Sequence, residues 1–304
     1  MNFTLKQIAV FDAIAQTGSV SHAASQLALT QSAASMALAQ LEQQLGQPLF
    51  ERIGRRLVLN SWGHWLRPRA RRLLLDASQI EQGFKGQHLF SGELMLGISQ
   101  TIAEILLPGL VCRLEHEVPQ LRLIPQVSNS EHVLQSLLSH ELNVGVIEGR
   151  CDDSRMQLSH WCDDHLVIVA NARHPLAQQP AVSLAELSQA RWVLRESGSG
   201  TREIFMNAIY GKLSKLNIWR EFSHVPTILA LVGQSNYLSC LPERVVTKDN
   251  YDGKLAILKV PDLNIMRQFH FVWRKDSGND PLRDCLLEQA QLLLSDNDHS
   301  PAGL

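Results

Sequence analysis

The sequence predicts an α/β fold in three successive parts: a small head of short helices and a wing, a long linker helix, and an α/β body in two lobes. Three observations carry this prediction. Two short amphipathic segments between Ser19 and Glu42 are separated by a break of a few residues; from Asn60 to Gly86 apolar residues recur at heptad-like spacing; and after Gly92 strand-like and helix-like segments alternate. At 304 residues the chain also exceeds what one hydrophobic core normally organises.

The two short helices of the head are delimited by capping residues. Gly18 can take the left-handed conformation that ends a helix, and Ser19 can cap the next helix, which we expect to begin near Val20. Thr30 caps the third helix in the same way, and the small Ala24 allows the close approach that a helix-turn-helix requires. The third helix is predicted to bury one stripe, consisting of Ala34, Leu38, Leu41 and Leu45.

The opposite face of the third helix carries small, almost uncharged side chains. Such a face suits a major groove about 12 Å wide, where amide and hydroxyl groups can contact base edges. The head is therefore predicted to bind double-stranded DNA. Its candidate DNA contacts on this helix are Thr30, Gln31, Ser32, Ser35 and Met36.

Basic charge is concentrated beside this helix. Seven arginines lie between Pro48 and Arg72, against the single acid Glu51, and residues 1–90 carry a net charge of +4 although the whole chain carries −2. A turn after Ile53 followed by a short strand predicts a wing that lays arginines on the DNA backbone or in the minor groove. The wing arginines are Arg52, Arg55 and Arg56.

A long helix is predicted from Asn60 or Ser61 toward Gly86. Its apolar residues alternate spacings of four and three, which indicates packing against another helix and hence a dimer. Pro68 should kink this helix or displace its start, because proline lacks the N–H group and clashes with the preceding turn. The predicted dimer seam is Leu66, Ala70, Leu73, Ala77, Ile80 and Phe84.

The body reads as alternating strands and helices, an order that predicts a parallel sheet with helical crossovers. The predicted strands are 93–99, 121–127, 144–147, 166–170, 192–195, 219–223, 237–241 and 269–274. The predicted helices are 102–115, 130–139, 184–187, one from Thr201, 227–231 and 281–294. The polar tail from Ser295 is expected to fray.

Composition narrows the functional class. No run of about 18 apolar residues and no secretion signal occurs, so we expect a cytoplasmic protein without a membrane partner. The five cysteines form no CxxC pair and no metal-ligand spacing, so no metal site is predicted. No catalytic constellation is found either, since His160, His165, His174 and Glu243 are scattered.

Residues 1 to about 86 resemble the LysR-type family of transcriptional regulators. The matching residues are 5–18, Ala23, Ala24, Leu27, Thr30, Gln31, Ser32, Ser35, Leu41, Glu42, Leu45, Gly46, Pro48, Leu49, Phe50, Glu51, Arg52, Asn60 and Gly63. Many members carry an arginine where this chain has Met36. The resemblance implies a winged helix-turn-helix DNA-binding domain at 1–60, a linker and dimerisation helix at 61–90, and a periplasmic-binding-protein-like effector domain at 91–304. Lobe I would comprise about 91–162 and 268–294, and lobe II about 163–267.

The resemblance further implies a sequence-specific regulator that is not an enzyme and uses no cofactor. Its partners would be double-stranded operator DNA, further copies of itself in a dimer or tetramer, and RNA polymerase if it is an activator. Binding of a small effector between the lobes would switch the geometry of the oligomer, because a ligand shifts a two-state equilibrium only through its differential affinity for the two states.

Two polar segments are candidates for the effector pocket, because ligands of open α/β lobes bind beyond the carboxyl ends of strands. One follows the first strand of the body and the other lies at the equivalent point of lobe II. Together they could hold a small anion, and they are similar to the sulfur-oxyanion pockets of the cysteine-regulon branch, although a carboxylate would suit them too. We give Glu148 no role. The candidate effector-binding residues are Ser99, Gln100, Thr101, Ser197, Ser199, Gly200, Thr201 and Arg202.

Three alternatives remain open at this point. Cys151 and Cys162 could form a redox pair, as in the peroxide-sensing branch of the family. An enzyme of the same two-lobed fold would have no use for the winged head. A solute-binding transport protein would need an export signal.

Overall fold

The computed structural model describes residues 3–54, 56–85, 92–213, 215–248 and 253–298. The chain divides into two compact units, each with its own core. One comprises Met1–Glu93 with Leu138–Glu141, and the other comprises Leu94–Leu137 with Leu142–Leu304. Within the described ranges, no helix combines the length and apolarity needed to cross a membrane.

The first unit begins with three helices, α1 (Leu5–Thr17), α2 (Val20–Gln26) and α3 (Gln31–Leu45). The predicted caps are present. Gly18 ends α1 with a φ of 67°, the Ser19 side chain accepts from the backbone N–H of His22, and the Thr30 side chain accepts from that of Ala33. The helix-turn-helix is thereby confirmed, with one correction: Leu45, predicted to be buried, is 36 % exposed because α3 ends there, beyond the core.

A two-stranded wing follows, formed by β1 (Phe50–Ile53) and β2 (Arg56–Leu59) in antiparallel register. The backbone N–H of Leu57 donates to the carbonyl of Gly18 at 3.0 Å, which attaches the wing to the end of α1. The sequence predicted β2 but not β1. The predicted DNA contact Arg55 lies outside the described residues.

The long helix α4 spans Ser61–Lys85, and the Asn60 Oδ1 caps it by accepting from the N–H of Gly63 at 2.9 Å. Pro68 lies inside α4 without displacing its start. The helix packs on α1 and contributes to the core of the first unit. That core consists of Ile8, Val10, Phe11, Ala13, Ile14, Ala23, Ala24, Ala34, Leu38, Leu41, Leu49, Leu66 and Ala70.

Strands of the second unit form one mixed sheet. They are β3 (Gly92–Ser99), β4 (Leu121–Ser128), β5 (Val144–Glu148), β6 (Met156–Asn171), β7 (Arg191–Arg195), β8 (Asn217–Phe222), β9 (Tyr237–Pro242), β10 (Leu255–Leu258) and β11 (Ile265–Arg274). In the part of the chain that the structure describes, their order is β4-β3-β5-β11-β6-β9-β7-β8, and β10 pairs with β6.

The expectation of a wholly parallel sheet is wrong. Parallel pairs β3·β5, β7·β8 and β7·β9 occur within the lobes, but β11 runs antiparallel to both β5 and β6. The reason is that β6 and β11 both belong to both lobes but run through them in opposite directions, so they pair antiparallel over ten residues. Of β6, only its second half was predicted.

Helices cover the two lobes of this sheet. They are α5 (Gln100–Ile105), α6 (Leu107–Glu117), α7 (Ser130–Leu138), α8 (Leu184–Gln189), α9 (Gly200–Ile209), α10 (Val225–Gly233), α11 (Glu243–Lys248) and α12 (Pro281–Asp298). The helix predicted over 102–115 is two helices, because the chain breaks at Leu106 before Pro108. Helix α12 extends to Asp298, so the tail does not fray at Ser295.

Candidate functional site

The outer face of α3 is open to solvent. Thr30, Gln31, Ser32 and Ser35 are exposed, and Met36 is 59 % exposed. The hydroxyls of Thr30 and Ser32 lie 3.1 Å apart, so the polar groups at the start of α3 are held together. The described part of this face carries hydrogen-bonding groups without charge, as the amino-acid pattern predicted.

The arginines near α3 fall into two groups with different partners. Arg52 and Arg56, on the two wing strands, are exposed and make no ion pair within the described residues. Arg67 and Arg71 on α4 instead bind Asp12 of α1, with N···O distances of 3.3 and 2.9 Å. The wing group is therefore available for a polyanion, while the α4 pair holds α4 against α1.

In the second unit, the candidate site is centred on Glu148, at the end of β5. Its side chain is 2 % exposed, and the fully buried Arg267 of β11 lies 2.9 Å from its Oε2. Two hydroxyls also donate to this carboxylate, that of Ser99 at 3.0 Å and that of Thr201 at 2.8 Å. Each donor comes from a different element, so the contact joins the ends of β3, β5 and β11 to the start of α9.

A second buried carboxylate shares the same guanidinium. Asp164 of β6 lies 2.5 Å from Nη2 of Arg267, and Arg244 lies 3.6 Å from the other oxygen of Asp164. Burial by itself would raise the pKa of Glu148, but the charge of Arg267, the hydroxyl of Thr201 and the charge of Arg195 hold that pKa below its ordinary value. Glu148 is thus a buried anion.

Half of the predicted effector residues gather around this carboxylate. Ser99 and Thr201 bind it directly, and Gly200 packs so closely that a Cβ there would lie 2.8 Å from the carbonyl oxygen of Glu148. Thr101 is completely buried, and its hydroxyl has no hydrogen-bond partner among the described residues. The start of α9 is therefore packed against the end of β5.

The other four predicted effector residues make no hydrogen bond to this carboxylate within the described residues. Gln100 donates to Glu104 at 3.2 Å, and Arg202 pairs with Glu221 at 2.5 Å. Ser197 and Ser199 border a cavity of about 520 Å³ that also borders Glu148. Sequence reasoning missed Glu148, Arg267 and Asp164; charged residues inside otherwise apolar strands were the signal that could have revealed them.

Both units match models of known protein families. Residues 5–64 match the bacterial regulatory helix-turn-helix of the lysR family, and residues 87–293 match the LysR substrate binding domain. The chain belongs to the LysR family of transcriptional regulators. Its relatives are regulators and not enzymes, so the enzyme alternative is excluded.

Relatives of this LysR-family regulator match over nearly their whole length. The uncharacterized HTH-type transcriptional regulator YeiE of Escherichia coli K12 is 39 % identical over 274 residues, which is 90 % of this chain and 91 % of YeiE. The transcriptional activator CmpR of Synechocystis is 28 % identical, with 90 % of each chain covered. CysL of Bacillus subtilis is 26 % identical, with 86 % of this chain and 88 % of CysL covered.

Solved structures share the fold. A full-length OxyR variant from Pseudomonas aeruginosa has a TM-score of 0.77 at 20 % identity, with 96 % of each chain covered. CbnR in complex with its target DNA has a TM-score of 0.69 at 20 % identity and covers 96 % of this chain and 100 % of that one. An N-terminal helix-turn-helix domain followed by a two-lobed α/β effector-binding domain is therefore the architecture of this regulator.

The cysteines of this regulator do not support the redox alternative. Burial raises the pKa of the Cys162 thiol to about 11 and also raises the pKa of Cys151. Peroxide-reactive cysteines need a thiolate, which burial disfavours. Within the described ranges, no three His, Cys, Asp or Glu side chains are grouped so that they could hold a metal ion.

Proposed function

We propose that this regulator reads operator DNA with the outer face of α3 and holds the DNA backbone with its wing. The observation that supports the proposal most is the uncharged, exposed face of α3 in the same unit as Arg52 and Arg56, which are exposed and pair with no acid among the described residues. The proposed base-reading residues are Thr30, Gln31, Ser32, Ser35 and Met36. The proposed backbone contacts are Arg52, Arg55 and Arg56.

The chemistry of these residues divides the work between specificity and affinity. An amide such as that of Gln31 can pair with an adenine edge, and a serine hydroxyl can contact either a base or a phosphate. Arginines on phosphates add affinity for any sequence and make it depend on salt. CbnR, which shares the fold, is solved in a complex with its target DNA, which supports DNA binding by the head of this regulator.

The proposed domain limits are 1–60 for DNA binding, 61–90 for the linker helix and 91–304 for effector binding. Within the last, a small effector carrying an anionic group, either a carboxylate or a sulfur oxyanion, binds near the start of α9. The Ser199 side chain at the start of α9 is buried, and its oxygen has no hydrogen-bond partner among the described residues, which supports an anion site in this region. Binding of the effector shifts the equilibrium between two arrangements of the lobes. This shift changes the spacing of the DNA-binding heads.

The regulator is proposed to act in the cytoplasm, bound to operator DNA as a dimer or as a tetramer of paired dimers. It contacts RNA polymerase if it is an activator. Part of the predicted dimer seam is not available to a second copy, because Leu66 and Ala70 are buried in the core of their own head. Phe84 has no described side chain. Leu73 and Ile80 of that seam remain exposed, at 41 % and 63 %.

An adjacent stripe of α4 extends the open part of the seam. Trp62 and Trp65 are 50 % and 54 % exposed, and they share one face with Arg69, Leu73, Asp76 and Ile80 at spacings of three and four. In an antiparallel pair of α4 helices, Arg69 of one copy faces Asp76 of the other. A two-fold interface is self-complementary in this way, so we propose this stripe as the dimer seam.

Substitutions on the head separate base reading from backbone binding. Ser35→Ala should change the sequence that the full-length protein selects from fragmented genomic DNA, since a base contact is lost. Arg56→Ala should weaken binding to all sequences alike and reduce the slope of log K against log salt by about one. Gln44→Ala, on an exposed part of α3 away from the reading face, is the matched control.

Footprinting and competition binding compare these three variants and Ser32→Ala with the wild type. A selected sequence that stays the same in both Ser32→Ala and Ser35→Ala would contradict the assignment of α3 as the reading helix. An unchanged salt slope in Arg56→Ala would contradict the role of the wing.

A further inference from the structure

The donors that a bare anion would use in the effector domain are already engaged. Glu148 and Asp164 share the guanidinium of Arg267, and Arg195 is paired with Glu196 at 2.8 Å. A second anion at these groups would be buried with no free positive charge to balance it. Such burial is costly. The effector therefore binds next to Glu148, in the cavity of about 520 Å³ that borders it. Ligand sites of this kind measure about 300–1,000 Å³.

One buried group points to a ligand in this cavity. Ser199 lines the cavity, the residue is only 2 % exposed, and its hydroxyl oxygen has no hydrogen-bond partner in the part of the chain that the structure describes. Ser199 also precedes α9, a helix of ten residues, and does not cap it with its side chain. The first N–H groups of α9 and the hydroxyl together suit a carboxylate.

The remaining charges of the cavity call for a positive group. Of the four acids on its outer wall, Asp153 is bound by Arg155, which leaves Glu131, Asp152 and Glu203. Of its two arginines, Arg202 is paired with Glu221, which leaves Arg150. Carboxylates therefore outnumber free guanidinium groups, and a ligand that brought only negative charge would increase the imbalance.

We propose that the effector is an amino acid with an apolar side chain, whose carboxylate lies at Ser199 and the start of α9 and whose ammonium group faces Glu131, Asp152 and Glu203. Leu134, Ile147 and Met206 line the same cavity and provide an apolar wall for the side chain. This inference rests on the proposed function of the second unit as an effector-binding domain. It narrows the anionic group proposed above to an amino-carboxylate.

The test measures ligand binding to the full-length protein by calorimetry and by thermal shift. The probes are leucine, isoleucine, valine and methionine, the deaminated and decarboxylated counterparts of leucine (4-methylpentanoate and 3-methylbutylamine), and sulfate. At least one amino acid should bind and raise the melting temperature. For leucine, each counterpart should bind at least about tenfold more weakly, since one charged group of the ligand and its contacts with the site are then lost.

Variants assign the two ends of the ligand. Ser199→Ala should weaken amino-acid binding by about tenfold, a loss of the size expected for one charged hydrogen bond. Glu203→Gln should weaken the amino acid but not 4-methylpentanoate. Ser188→Ala, an exposed serine of α8, is the matched control and should change nothing.

The proposal is overturned if none of the four amino acids binds, or if sulfate or 4-methylpentanoate binds more tightly than all of them. It is also overturned if Ser199→Ala binds them as the wild type does. Operator preference of the ligand-free protein, measured in parallel, separates these outcomes from a failure of the proposed function. A protein that selects its operator but ignores amino acids contradicts only this inference.

Discussion

Replacement of Arg267 by methionine tests the charge network of the effector domain. The Arg267→Met substitution removes a fully buried guanidinium that contacts both Glu148 and Asp164. Removal of one partner of a buried ion pair costs about 3–5 kcal/mol. A domain of this size loses roughly 2–4 °C of melting temperature per kcal/mol, so we expect a decrease of roughly 6–20 °C at neutral pH.

The same substitution should change how stability depends on pH. In the wild type the pKa of Glu148 is lowered by folding, so its contribution to stability is present above the ordinary pKa of 4.5 and is lost as the pH falls through the folded pKa. In Arg267→Met the burial of Glu148 dominates and raises its pKa above that of the unfolded chain. The variant is then destabilised at neutral pH and regains stability as the pH falls toward 5.

Thermal and urea denaturation of the full-length protein at pH 7 and pH 5 measure this difference. The gap between wild type and Arg267→Met should be largest at pH 7 and should narrow at pH 5. Arg155→Met is the control, because Arg155 pairs with Asp153 on the surface, and we expect no measurable change. If Arg267→Met melts like the wild type at both pH values, the described network does not stabilise the domain.

Three further predictions concern the head, the dimer and the cysteines. Gly63→Ala should destabilise the head by about 1–3 kcal/mol, because its Cβ would lie 2.2 Å from the carbonyl oxygen of Leu49. Faster hydrogen exchange in α3 than in the control Ser61→Ala would show this loss of stability, and equal exchange in the two variants would refute the contact. Trp65→Ala should raise the dimer dissociation constant, measured by sedimentation, at least about tenfold. Leu5→Ala, at another exposed apolar residue, is the control, and equal dissociation constants for the two variants would exclude the α4 stripe as the seam. Cys162, whose pKa is about 11, should react with iodoacetamide at pH 8 far more slowly than the exposed Cys112, and equal rates would restore the redox alternative.

The helix-turn-helix could be predicted because its signals are local. Gly18, Ser19 and Thr30 mark helix ends through their own conformational preferences and hydrogen-bonding groups, which need no tertiary context. The wing was predicted only in part, because β1 is four residues long and has no alternating burial pattern. Its pairing with β2 depends on the turn at Gly54.

The centre of the effector domain could not be predicted in the same way. Asp164 and Arg267 are separated by 103 positions in the chain, and a charge inside a strand reads as a solvent-facing residue until its partner is known. For this reason the first half of β6 was missed, and Glu148 received no role. Ser99 and Thr201 were found because polar residues at strand ends and helix starts are local signals, but their common partner was not.

Competition binding to DNA tests the central claim most directly. The claim is that the exposed face of α3, with the wing arginines beside it, recognises a particular duplex sequence. The purified full-length protein, at moderate ionic strength, should bind selected genomic fragments at least about a thousandfold more tightly than random competitor DNA. A ratio near one, with or without small metabolites, would contradict the account.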